Sequence, residues 1–482
     1  MSQSNRVSVS SWQIDGASMA YRLRALAAAS ILLLAVLAPA APTPAAQTSI
    51  EEQFKYGSIG SEDEEGLPYW IWQVLPRLFA DKLPPGGYGA LGMLWEPGHD
   101  LPIGFSKKSI WGVERVGINC AFCHTARVRT SAGAAPTIVL AGPSHQLDPQ
   151  AYSRFLDATA SDPRFNATDM LEAIAKLTRL SWIDSGLYRF VLIPAARRGL
   201  QAHRERLRWM DGRPTWGPGR IDPQNPFKFS TLKQPIDQTI GNSDMPPLWN
   251  MKARRGMALH WDGMNTVYRE VLLSSGLGNG ATLKSVAVEN IDRLGAWFED
   301  LPPPKFPFPI DAALADRGRP VFASACAACH AAGGARIGQV IPIDEVGTDR
   351  HRLDTWTAAS AAAFNAYTRG QPWAFTHFRK TNGMVAGLLD GIWLRAPYLH
   401  NGSVPSLTDL LEPAGQRPAR FYRGYDVFDP ARVGFVSSGR DAEQAGWLYD
   451  VAQPGNGNAG HEYGATLTAD EKRALVEFMK TF

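Results

Sequence analysis

Apolar residues recur at three- and four-residue spacing along much of this chain, which sets them on one face of a helix. "DPQAYSRFLDATA" (148–160) and "NATDMLEAIAKLTRLSWI" (166–183) carry this pattern, and "SGLYRFVLIPAARRGLQAHRERLRWM" (185–210) continues it. "LPYWIWQVLPRLFADKLP" (67–84) predicts a short helix ended by prolines. "VENIDRLGAWFED" (288–300) predicts another, and "LPPPKFPFPID" (301–311) follows it as a stiff proline-rich linker. Beyond the linker, "AALADRGRPVFASACAACH" (312–330) reads as a helix. "TLTADEKRALVEFMKTF" (466–482) reads as a closing helix with a Thr cap and apolar Leu475, Phe478 and Met479. Little of the chain alternates as a long strand would. The pattern predicts a mainly α protein with long loops, divided into 47–300 and 312–482 by a linker at 301–311.

Residues 1–46 read differently. "YRLR" precedes the short apolar run "ALAAASILLLAVLA", and small residues follow in "APAAPTPAAQ". This is the layout of an export signal, with Met19 the better start. The run is shorter than the ~20 apolar residues that span a bilayer, so no stable membrane span is expected. A periplasmic or secreted location in a Gram-negative bacterium follows. From residue 47 onward 46 basic residues face 45 acidic ones. Near-neutrality gives no phosphate-neutralising surface, which excludes nucleic acid as a partner class. Gly (45) and Pro (35) are abundant, as in a loop-rich globular protein.

The four cysteines occur only as "CAFCH" (120–124) and "CAACH" (326–330). Two disulfides across such tiny loops would gain little and would leave each His unexplained. Zinc sites rarely place a His directly after the second Cys. Covalent haem c accounts for every residue: two thiols add to the porphyrin, and the adjoining imidazole ligates the iron. The expected cofactors are two covalently bound haems c. Cys120, Cys123 and His124 would hold the first, and Cys326, Cys329 and His330 the second.

Three further stretches carry a family resemblance: "DMPPLWNMKARRGMALHWDG", "GIWLRAPYLHNGSVPSLTDLLEP" with "RPARFYRGYDVFDPARVGF", and "GNAGHEYGATLTADEKRALVEFMKTF". From about residue 54 the chain resembles the diheme cytochrome c peroxidase superfamily, particularly its rubber-oxygenase-like (RoxA-like) branch. The resemblance implies two cytochrome c-like domains, each with one haem c. It implies His461 as the sixth ligand of the second haem. His400 is implied as a hydrogen-bonding residue near the haem–haem interface. The carbonyls of Arg395 and Pro397 match positions that hold Ca²⁺ in the peroxidases. Pro246 matches the proline lining the distal pocket of the first haem. The family's acidic residue a few positions later has no counterpart, and Lys252 stands nearest its place. Leu248, Trp249, Leu259 and Leu277 are candidates for an apolar pocket instead. His145 and His260 are candidates for the distal side of the first haem or for structural roles.

An iron with two protein axial ligands suits electron transfer, and one with a free position suits chemistry. The expected function is a periplasmic diheme oxidoreductase, peroxidase-like or oxygenase-like. Its first haem would be open to O₂ or peroxide, and its second would exchange electrons with a small redox protein or another donor or acceptor. The alternative is a non-catalytic electron carrier with both irons six-coordinate.

Overall fold

The computed structural model describes residues 48–482, so the expected signal at 1–46 and the start at Met19 lie outside the described residues. Helix α1 (Tyr69–Leu78) buries Tyr69, Ile71, Trp72, Val74 and Leu75. An antiparallel hairpin follows, β1 (Phe105–Ile110) with β2 (Val113–Ile118), and Leu67–Pro68 pairs with the other edge of β2. Its two turn residues, Trp111 and Gly112, both have positive φ (54° and 79°). A two-residue turn that matches the strand twist requires this. The short helix α2 (Cys120–Cys123) then leads into a second antiparallel pair, β3 (Thr125–Val128) and β4 (Thr137–Leu140).

Asp148 and Asn166 cap the two amphipathic stretches, α3 (Pro149–Ala160) and α4 (Ala167–Ala175), each accepting backbone N–H groups of the first turn. Ser181 caps α5 (Trp182–Leu187), which passes through a π turn at Tyr188–Leu192 into α6 (Ile193–Leu207). Helices α7 (Tyr268–Gly278) and α8 (Val288–Asp300) complete the first stretch of the chain.

The 301–311 segment packs onto the core. Leu301 O accepts from Asn250 N at 2.8 Å, Pro304 O accepts from Trp393 Nε1 at 2.9 Å, and Phe308 stacks on Phe428. After it, α9 (Ala312–Ala325) runs into α10 (Ala327–His330), and β5 (Val340–Pro342) pairs with β6 (Gly383–Val385). Thr468 and Glu471 form a capping box on α11 (Ala469–Met479), which packs against α9. A Cβ at Gly318 of α9 would lie 2.0 Å from Ala474 O, so the two helices approach this closely only through glycine.

The mainly α expectation is corrected here. Among the described residues 41% are helical and 12% lie in strands, an α/β mix with six small sheets of two or three strands. Strands of two to six residues, set between Gly- and Pro-rich loops, leave too short a pattern for periodicity to register. Residues Ile50–Phe482 group as one unit, and one apolar cluster joins Cys120, Leu259, Leu273 and Phe298 to Trp356, Phe364 and Phe378.

Candidate functional site

The first cysteine pair is set by a buried cap. Asn119 accepts Ala121 N–H at 2.9 Å and donates through Nδ2 to Lys55 O (3.2 Å) and Gly57 O (3.1 Å). This fixes the start of α2 and presents Cys120, Cys123 and His124 within one turn. His124 Nδ1 lies 2.8 Å from Pro246 O, which accepts its proton and leaves Nε2 as the free ring nitrogen. Burial pushes His124 down to about 4, so the imidazole is neutral at pH 7. A neutral imidazole, its tautomer fixed by a carbonyl, is the form that binds metal.

The second site repeats this construction: His330 Nδ1 lies 2.7 Å from Gly387 O. Cys326 packs with the cluster of Phe322, Leu394 and Leu475, and Cys329 with Ile341, Val346 and Ala386. None of the four cysteines is in a disulfide. Burial pushes Cys120 and Cys326 up to about 11 and Cys123 up to about 12. Such thiols are not poised as free nucleophiles. A thioether removes the titrating group altogether.

His461 faces His330 with ring centroids 6.0 Å apart and planes at 50°. Two imidazoles sharing one metal are separated by two bonds of about 2.0–2.1 Å plus the distance from nitrogen to ring centre on each side. That sum is roughly 6 Å, so the pair fits an iron between them. His461 N donates to Val346 O at 2.7 Å, and Arg417 donates to Gly460 O at 2.8 Å, pinning the loop. Among the described residues no aromatic or imidazole ring pairs with His124 in this way. Arg395 Nε is buried without a protein hydrogen-bond partner, and its charge lowers His330 after burial has done so. An unpaired buried donor beside this site suits a cofactor that carries carboxylates.

The loops behind the two imidazoles are tied together. Asp390 O accepts from Trp249 Nε1 at 3.0 Å and also from Arg395. The Asp390 carboxylate accepts from Asn250 Nδ2 at 2.8 Å and Arg254 at 2.6 Å. Arg254 also donates to Trp249 O (3.1 Å) and Asn250 O (2.9 Å), and Arg395 to Leu388 O (2.9 Å). Segment 246–254, which orients His124, and segment 387–395, which orients His330, therefore meet at one aspartate. Sequence reading missed Asp390, Arg254 and Arg395 in this role. For Asp390 and Arg395 the only signal was charge inside an otherwise apolar stretch, and Arg254 was hidden in the basic run 252–255.

The remaining candidates separate. Pro246 presents its carbonyl to His124 Nδ1, so its backbone lies on that side of the imidazole. Lys252 is exposed and pairs with Asp300 at 3.2 Å, away from a pocket role. Leu248, Leu259 and Leu277 belong to the apolar cluster of Cys120, whereas Trp249 is buried between Gly142 and Gly391. Glu270 on α7 is buried but saturated. Burial raises it, while Asn265, His377 and the 376–377 amides outweigh that and hold it below the usual range. His260 Nε2 and His145 Nε2 are buried without a protein partner, and His145 packs on Phe435 at 3.8 Å. His400 is buried beside the charges of Asp349, Arg352 and Asp262, and its carbonyl accepts from Asp244 N at 2.8 Å. At Arg395 and Pro397 no carboxylate cluster adds to the Ca²⁺ match. The group of three ligating side chains among the described residues is Glu52, Glu96 and His99.

Burial lowers His145 to about 3 and His400 to about 4. The unfolded chain takes up these protons near pH 6.5 and the folded chain only well below that, so stability falls as pH drops through this window. Each His is expected to remove about 2.5 kcal/mol between pH 7 and 4.5. Urea unfolding at the two pH values checks this, and His400→Asn should flatten the slope.

Comparison with known proteins adds one family and two relatives. Residues 383–422 match the family described as RoxA-like, cytochrome c-like. The uncharacterized protein y4iM of Sinorhizobium fredii (strain NBRC 101917 / NGR234) is 29% identical over 283 residues, 50% of this chain and 64% of that protein. The uncharacterized protein y4iJ of the same strain is 31% identical over 252 residues, 38% of this chain and 42% of that protein. The chain thus spans less than two thirds of either relative. Only one cytochrome c-like segment is matched, where two such domains were expected. That segment contains Gly387, Asp390, Arg395 and His400, the loop that orients His330, and its match is what suggests a haem-binding cytochrome.

Proposed function

We propose that the chain is a two-haem c-type cytochrome acting as an oxidoreductase in the bacterial periplasm, with unlike haem sites. Haem c, when bound, supplies one-electron redox chemistry and, where an axial position stays free, a place for O₂ or peroxide. Cys120 and Cys123 would hold the first group and Cys326 and Cys329 the second, with His124 and His330 below. His461 closes the second site, which suits exchange with a small redox protein. The observation that carries this reading is the asymmetry: His330 has a facing imidazole at 6.0 Å and His124 has none among the described residues.

The first site favours O₂ and an apolar organic substrate over peroxide. Leu259, Leu273, Leu277 and Phe378 belong to the apolar cluster that contains Cys120, and Leu248 packs against it. Splitting peroxide requires a group that moves a proton. Lys252 faces solvent, and Glu270 spends its oxygens on Asn265, Thr376 and His377. Trp249, buried between Gly142 and Gly391 and held by Asp390 O, is the aromatic side chain we assign as a bridge between the two sites.

The test is the visible spectrum of the half-reduced protein. One high-spin component that responds to CO and one low-spin component that does not are expected. Two low-spin components indifferent to CO and cyanide would make the chain a plain electron carrier. His461→Ala should convert the low-spin component to high spin while leaving the first site unchanged.

A further inference from the structure

We propose that the face formed by α5, the π turn and the start of α6 docks the protein on anionic phospholipid bilayers. Trp182 (85% exposed), Ile183 (61%), Phe190 (76%) and Val191 (52%) project from it. This is not the loose side of a mobile element. Tyr188, Ile193, Ala196 and Leu200 of the same stretch are buried in the core, so the segment is apolar on both faces. A core-anchored helical stretch that also turns several large apolar side chains outward belongs against lipid or another protein, and this one has protein on one side only. The tip of the β1–β2 hairpin stands beside it. Trp111 is 99% exposed, and Ile110 and Trp111 share the walls of a 760 Å³ cleft with Leu192, Ala195 and Gly199.

Charge selects the occupant. Residues 179–208 hold seven arginines against Asp184 and Glu205. Arg179, Arg189 and Arg198 are exposed and form no ion pair among the described residues. Apolar and aromatic side chains bordered by arginine match the interface of a negatively charged leaflet, where rings enter the headgroup region and guanidiniums meet phosphate. The contact would be peripheral, since among the described residues no helix is long and apolar enough to cross a membrane. The inference does not rest on the haem assignment.

The test is flotation of the haem-loaded full chain with vesicles of phosphatidylcholine alone or in equal parts with phosphatidylglycerol. Binding to the mixed vesicles only, weakening as salt rises, is expected. Trp182→Ser with Phe190→Ser should cost roughly a hundredfold in vesicle affinity. Both side chains are exposed, so the Soret spectrum and melting curve should not move. Equal binding to neutral vesicles would overturn the proposal. So would unchanged binding of the double variant, which would place the contact elsewhere in the chain. Absence of vesicle binding together with variant-sensitive self-association would make this face a protein interface instead, and would also overturn it.

Discussion

If the chain carries two haems as proposed, replacing Cys326 and Cys329 together by serine is expected to leave only one. Haem absorbance per polypeptide and the intact mass both read this directly. The hydroxyl does not form the thioether, and His330 and His461 alone would hold the group by axial ligation only. The effect reaches beyond the count. Cys326 lies against the cluster that joins α9 to α11, and Cys329 against Ile341, Val346 and Ala386. Emptying the space between rings 6.0 Å apart leaves a void that this rigid packing fills only partly. A loss of about 3–5 kcal/mol is therefore expected, of the size caused by truncating a large core side chain. The melting transition of the variant should fall accordingly, while the CO-responsive component of the first site is retained. A double-serine chain that still carried two haems would remove the covalent assignment of the second site.

Much of this site can be read from the sequence because its chemistry is local. Two cysteines and a histidine within five residues declare themselves, and the structure adds that both imidazoles donate from Nδ1 to a carbonyl. The capped helices at Asp148, Asn166 and Thr468 are local too, since a cap and an apolar stripe need only a few consecutive residues. The hairpin at 105–118 was less legible, because its turn rests on a tryptophan at positive φ where Asn or Gly would have signalled it. Partners chosen by the fold were not legible at all. His124 takes its acceptor from Pro246 and Asp390 ties Trp249 to Arg395, across separations of more than a hundred residues that no local pattern encodes. Lys252 shows the converse. Its place in the motif implied a pocket, yet a long charged side chain near the surface reached Asp300 and solvent instead.

Substituting Asp390 by alanine should disturb both histidine sites at once. Its carboxylate is the negative partner of Arg254, at 2.6 Å with side chains 13% and 20% exposed. Burial and the nearby charge of Arg254 already push Arg395 down to about 9. Without the carboxylate, two guanidiniums remain close together in a poorly solvated place, and stranding one partner of such a pair costs about 3–5 kcal/mol. The partial exposure puts the expected loss near the lower figure, measurable by urea unfolding. Asp390→Asn keeps an acceptor for Asn250 but not the charge, so it should recover only part of the loss. The more telling readout is redox. Pro246 O and Gly387 O sit on the two loops that Asp390 ties, and each takes the Nδ1 proton of an imidazole. With a haem at each site, slackening either loop would weaken that hydrogen bond, make the imidazole a poorer donor to the iron, and raise the potential. In the alanine variant both midpoints are expected to rise. A shift confined to the second site would reduce Asp390 to a local brace of the 387–395 loop, since only a knot shared by both loops carries the disturbance to His124.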